Sequence, residues 1–318
     1  MISSSNIWFL ILAAVSQASY ELQDDFGTSA SFFDHFTFFT DADPTHGFVH
    51  YVDRATAEQS GLIGVRDQML YVRADHTNVS PSSGRPSVRL TSIDQYQHGL
   101  FVLDLAHMPG GICGTWPAFW MVGANWPEKG EIDIIEGANQ QTNNMMTLHS
   151  LKDCSVDNEG FSGTLISSDC FYEAPTQHYN AGCSIDAPSN RSFGMGFNEE
   201  GGGVYAVEWT EIGIKMWFFP RGQIPSDLAC GSESIDPKSW GRPTAMFKGK
   251  CDFPSHFGPQ QIVINTAFCG DWAGQVWGTS DCARLGSTCE DYVANNPSAF
   301  TDAYWQIRSL KTYQRSKA

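Results

Sequence analysis

The sequence predicts an all-β fold, a sandwich of many short strands, and three observations carry that expectation. The 318 residues include 30 Gly and 15 Pro, enough to punctuate the chain with frequent turns. Aromatic residues make up 13 %, and they favour strands. Few stretches are rich in Ala, Leu, Glu and Lys, so long helices are not expected.

Strand-like runs recur between turn signals. They are Met69 to Ala74, Ser87 to Thr91, Gly99 to Leu105, Gly130 to Glu136, Gly203 to Glu208, Gly213 to Phe219, Gln261 to Thr266 and Tyr304 to Tyr313. Within Ile214 to Phe219, β-branched and aromatic residues dominate, and Lys215 would be out of place on a buried helix. Residues 152–203 are polar, rich in Gly, Ser and Asn, and hold three cysteines, which reads as long surface excursions pinned by disulfides. Helix is expected only in short pieces, such as Glu290 to Asn295. Linkers, repeats and low-complexity tracts are absent from the sequence, so one domain is expected over residues 19–318.

The apolar run Ile7 to Val15 is too short to span a bilayer, and Ser16-Gln17-Ala18 supplies small residues for cleavage before Ser19. Residues 1–18 are therefore expected to be an export signal, although no Lys or Arg precedes the run. The nine cysteines then read as up to four disulfides with one left over. None forms a C-x-x-C pair, so structural zinc is not expected. Asn78-Val79-Ser80 and Asn190-Arg191-Ser192 are acceptor sequons for N-glycosylation. Acidic residues outnumber basic ones 35 to 19, and the net charge of −16 disfavours nucleic acid and anionic lipid as partners. A neutral partner and a monomeric, extracellular protein fit better.

The most informative segment is Gly130-Glu131-Ile132-Asp133-Ile134-Ile135-Glu136-Gly137. A helix would scatter the three acids. A regular strand puts Glu131 and Asp133 on one face and Glu136 on the other. One extra residue at Ile134-Ile135, a β-bulge, would return Glu136 to the acidic face. Carboxyl groups crowded on one face repel each other and raise at least one pKa. A site that needs a proton donor beside an anion, as in breaking a glycosidic bond, gains from that cost. A solvated acidic edge strand or a calcium site would also gather carboxylates.

Glu131 to Glu136 resembles the E-x-D-x-x-E motif of glycoside hydrolase family 16, in the branch with a bulged strand that includes laminarinases. Further stretches are similar to fungal laminarinase-type members: Gly110 to Trp120, Tyr205 to Thr210, Trp217 to Gly222, Asn265 to Gly274 and Ala303 to Ile307. The resemblance covers roughly residues 20–313. It implies a β-jelly-roll of two curved antiparallel sheets with a sugar cleft, and an endo-acting, retaining β-1,3(4)-glucanase. It implies that Glu131 is the nucleophile and Glu136 the acid/base, with Asp133 holding and tuning the nucleophile. A negative Glu131 and Asp133 would then raise the pKa of Glu136. Some members carry a structural calcium away from the cleft, but nothing in this sequence specifies one, and no cofactor is expected.

Ten tryptophans is many for this length. Sugars present apolar C–H faces and polar edges, so Trp116, Trp120, Trp126 and Trp272, with Asn265, are candidates for binding β-glucan. Trp209 and Trp305 fit the core better. His149, on a strand expected beside the acidic one, is placed near the acid/base by the resemblance. His46 and His50 have helical zinc spacing, but Gly47 and Val49 make a poor helix and no Glu lies between them, so they are discounted as a metal site. A transglycosylase using the same glutamates and a glucan-binding lectin-like module are the alternative functions, and the intact acids disfavour the lectin.

Overall fold

A computed structural model describes residues 19–80 and 82–316. The export signal expected over residues 1–18 lies outside the described residues. Seven of the eight expected strands form, with ends shifted by up to two residues. The eighth expectation needs correction. Ser87 to Thr91 is not one strand but the meeting of two, Arg85–Ser87 and Arg89–Ser92. Between them Val88 is buried in the core, which breaks the run and sends the strands to different partners. Arg85–Ser87 pairs in parallel with Val49–Tyr51, and Arg89–Ser92 joins a large antiparallel sheet.

That sheet has eight strands, in the order Thr164–Ser167, Cys183–Asp186, Met145–His149, Glu131–Glu136, Thr115–Gly123, Gln260–Phe268, Arg89–Ser92 and Phe36–Phe38. A nine-stranded sheet is centred on Tyr304–Arg315, Gly99–His107 and Gly203–Thr210. The core lies between the two. Phe119, Met121, Ile132, Leu148, Ile262 and Ile264 enter it from one sheet, and Leu103, Leu105, Val207, Ile307 and Leu310 from the other. Alternation along each strand therefore sends every second side chain inward. Trp209 and Trp305 are buried there, as expected. The result is the antiparallel sandwich expected of a jelly-roll, with helix limited to short pieces such as Cys289–Asn295.

The segment 152–203 is only partly a surface excursion. Its strand Cys183–Asp186 is almost wholly buried and pairs with Met145–His149, so it extends the sheet beside the acidic strand. Polar composition hid it, because Ser184 is buried against Thr147, with 3.1 Å between their hydroxyls. Four disulfides form: Cys113–Cys282, Cys154–Cys251, Cys170–Cys183 and Cys269–Cys289. Cys230 is left over and exposed.

Candidate active site

Strand Glu131–Glu136 pairs with Thr115–Gly123 in a register that shifts between Asp133 and Ile135. Asp133 stands opposite Trp120, Ile135 opposite Phe119 and Glu136 opposite Ala118. Ile134 is therefore the extra residue, and the bulge falls within the expected Ile134-Ile135 pair. Ile132, Ile134 and Ile135 are all fully buried, so the bulge is anchored by two consecutive apolar side chains. Each such burial contributes roughly 1.5–3 kcal/mol. Glu131, Asp133 and Glu136 are left together on the face turned away from the core.

Indole N–H groups meet both glutamates. Trp126 Nε1 donates to Glu131 Oε2, and Trp116 Nε1 donates to Glu136 Oε1 at 2.8 Å. Trp120 alternates with Trp116 on the neighbouring strand and donates to Asn265 Oδ1 at 2.7 Å. Asn265 in turn donates to the Tyr51 hydroxyl at 3.0 Å. Trp272 packs edge-on against Trp116, with ring centroids 5.8 Å apart. Among the candidates, Trp116 and Trp126 thus touch the glutamates, Trp120 stands across the ladder from Asp133, and Asn265 and Trp272 each contact one of these tryptophans. His149 stands opposite Glu131 in the ladder, and its Nε2 lies 3.3 Å from Asp133 Oδ2. His149 also acts on Glu136, so it lies near the expected acid/base as well.

All three carboxyl groups are pushed up, with burial as the leading cause at each. Glu131 rises to about 8 through burial and then the charge of Asp133, offset in part by His149, the Trp126 N–H and Arg89. Glu136 rises to about 7 through burial, with Trp116 and His149 opposing and Glu131 adding. Asp133 is raised well above the usual carboxylate range by burial and by Glu136. The expectation that charged neighbours raise Glu136 holds in part, since Glu131 adds to its rise, but burial is the larger cause. The loss of water around the whole cluster comes first at all three.

Several residues that hold this site were not singled out from the sequence. Arg89 lays its guanidinium over the rings of Phe39 and Trp120, at 4.6 and 4.9 Å. Tyr172 packs against Trp126 at 5.2 Å from within the disulfide loop 170–183. Asn144 bonds the backbone of the bulge itself. A strand arginine, a loop tyrosine and an asparagine carry no spacing signal, because their roles arise across sequence gaps.

Comparison with known proteins agrees with this fold. An endo-1,3(4)-β-glucanase of Arthroderma benhamiae is 47 % identical over 311 residues, which is 96 % of this chain and 67 % of that protein. This chain spans about half the length of an Aspergillus fumigatus relative, 48 % of it. Among solved structures, laminarinase 16A from Phanerochaete chrysosporium, with 6-O-glucosyl-laminaritriose in donor and acceptor sites, superposes with a TM-score of 0.88. It is 44 % identical and covers 93 % of this chain and 100 % of its own. An elongating family 16 β-1,3-glucosyltransferase gives a TM-score of 0.87 at 47 % identity, with the same coverage of both chains. The family model described as "XgeA-like, catalytic GH16 domain" matches residues 36–313. With most of its length matched in this way, the chain belongs to glycoside hydrolase family 16.

Proposed function

We propose that the chain is a secreted endo-β-1,3(4)-glucanase that cuts β-1,3- and mixed-linkage β-glucans with retention of configuration. The observation that carries this reading is the bulge at Ile134, which gathers Glu131, Asp133 and Glu136 beneath two indole N–H donors. Glu131 attacks the anomeric carbon as Glu136 protonates the leaving oxygen, and a covalent glycosyl-enzyme forms. Glu136 then takes a proton from water, and that water releases the sugar with its original configuration. The first step needs a charge on Glu131 and a proton on Glu136. An indole N–H favours the charge on each glutamate, Trp126 on Glu131 and Trp116 on Glu136, so neither bond by itself assigns the proton. In this reading side chains take every role, and no cofactor is called on. Four disulfides support an oxidising, extracellular setting.

A second reading, glucan transglycosylation by the same glutamates, is favoured by the 47 % identity to the elongating glucosyltransferase. Incubation with laminarin, lichenan, cellulose and xylan, followed by product sizing, tests both. Short oligosaccharides from laminarin and lichenan alone are expected. Products longer than the substrate would favour transfer, and glucose as the sole early product would overturn endo action.

A further inference from the structure

A bulge leaves part of its strand without ladder partners. The pairing of Glu131–Glu136 with Met145–His149 ends at Asp133 opposite Thr147. Beyond that point the Ile134 carbonyl and the Glu136 amide need other partners, since buried backbone groups left unpaired are costly. One side chain serves both. Asn144 Nδ2 donates to the Ile134 carbonyl at 2.8 Å, and Asn144 Oδ1 accepts from the Glu136 amide at 2.9 Å. The two bonds straddle the bulge, so a side-chain amide does the work of a missing peptide group. Only Asn and Gln offer a neutral donor and acceptor together on one amide, and Gln is longer by a methylene.

Asn144 is fully buried and is itself braced. Its backbone N–H donates to Ser192 Oγ at 2.9 Å, and its backbone carbonyl accepts from the Ala187 N–H at 2.9 Å. Ser192, also fully buried, donates through the same hydroxyl to the Ser189 carbonyl at 2.6 Å. These bonds fix the backbone of Asn144, from which its side chain reaches the bulge.

We propose that Asn144, braced by Ser192, is a positioning residue that holds the bulge in the one register presenting Glu136 to the substrate. Sliding or flattening of the bulge would turn Glu136 toward the core, because a one-residue slip reverses every side chain beyond it. The proposal rests on Glu136 being the acid/base, and the test separates the two. The Asn144→Ala, Ser192→Ala and Glu136→Ala variants are compared by kcat/KM on laminarin and on an aryl β-glucoside of laminaribiose. The aryl group leaves without protonation, so its first step does not need Glu136.

Asn144→Ala is expected to lose about 10²-fold on laminarin, the scale of a misplacement near 1 Å, and to stay near the parent on the aryl substrate. Ser192→Ala should show the same selectivity with a smaller loss, and it carries the test if Asn144→Ala does not fold. Ser192 also completes the sequon Asn190-Arg191-Ser192, so Asn190→Gln controls for a lost glycan and should match the parent. Equal losses on both substrates, no loss on laminarin, or an Asn190→Gln variant that reproduces Ser192→Ala would each overturn the proposal. If Glu136→Ala itself affects both substrates alike, the acid/base reading falls, and the positioning role falls with it.

Discussion

On the outer face of the nine-stranded sheet, acids stand beside cations. Glu208 lies directly across the ladder from Lys215, with 2.7 Å between charged atoms, and also accepts from the Tyr20 hydroxyl at 3.0 Å. Asp104 pairs with Arg221 at 2.5 Å, and Asp25 with Lys311 at 3.0 Å. On the open face of the eight-stranded sheet, Glu131, Asp133 and Glu136 have no Lys or Arg ion pair among the described residues. Indoles meet the two glutamates there, and His149 meets Asp133. The same residue types on the same kind of strand thus serve opposite ends. A neighbouring cation keeps a carboxylate charged and contributes to the fold, whereas walls of indole and buried sheet leave it short of solvation and ready to hold a proton.

Removing the acids of the open face should have the largest effect. Glu131→Ala is expected to abolish nearly all turnover, and added azide should then yield only the α-glycosyl azide. Glu136→Ala should slow turnover by about 10²–10⁴-fold, and azide should restore it as the β-anomer. NMR identification of the anomers checks both roles, and α-anomer released first by the parent would mean inversion.

The second effect concerns stability and has a definite sign. Glu131 ionises near 4.5 when exposed and about 8 in the fold, so between those values the unfolded chain has released a proton that the folded chain keeps. The unfolded state binds fewer protons there, and stability must fall as pH rises across that window. Glu131→Gln removes this penalty. Its Tm should match the parent at pH 4 and exceed it at pH 8, while activity is lost. Equal shifts at the two pH values would show that burial of Glu131 is not the source of the penalty.

The smallest effect should come from the other face. Lys215→Met breaks the pair with Glu208, and because Lys215 is partly exposed the cost should stay within about 1 kcal/mol. Urea unfolding measures it, and kcat on laminarin should not change. A large loss of activity would mean that the two faces are coupled, which their separation across the core argues against.

Strand periodicity and turn residues were enough to place seven strands and the acids on one of them, but not Thr115–Gly123, which pairs with the acidic strand. Even the bulge was legible, because three acids spaced two and three apart cannot share a face of a regular strand. The tryptophans that touch the glutamates were readable as candidates from their number and chemistry. What the sequence could not determine was which groups would meet. Ser87 to Thr91 divides between two sheets because Val88 is drawn into the core, a choice made by packing rather than by β-propensity. Cys183–Asp186 looked like loop because its polar residues are satisfied only by Thr147 and other distant partners. How far the acids are pushed up depends on how much water the assembled walls exclude, so only tertiary structure could show burial outranking charge at all three. Asn144 is the clearest case: alternation along one strand can announce a bulge, but the side chain that closes it comes from the chain's return, where no local period constrains it.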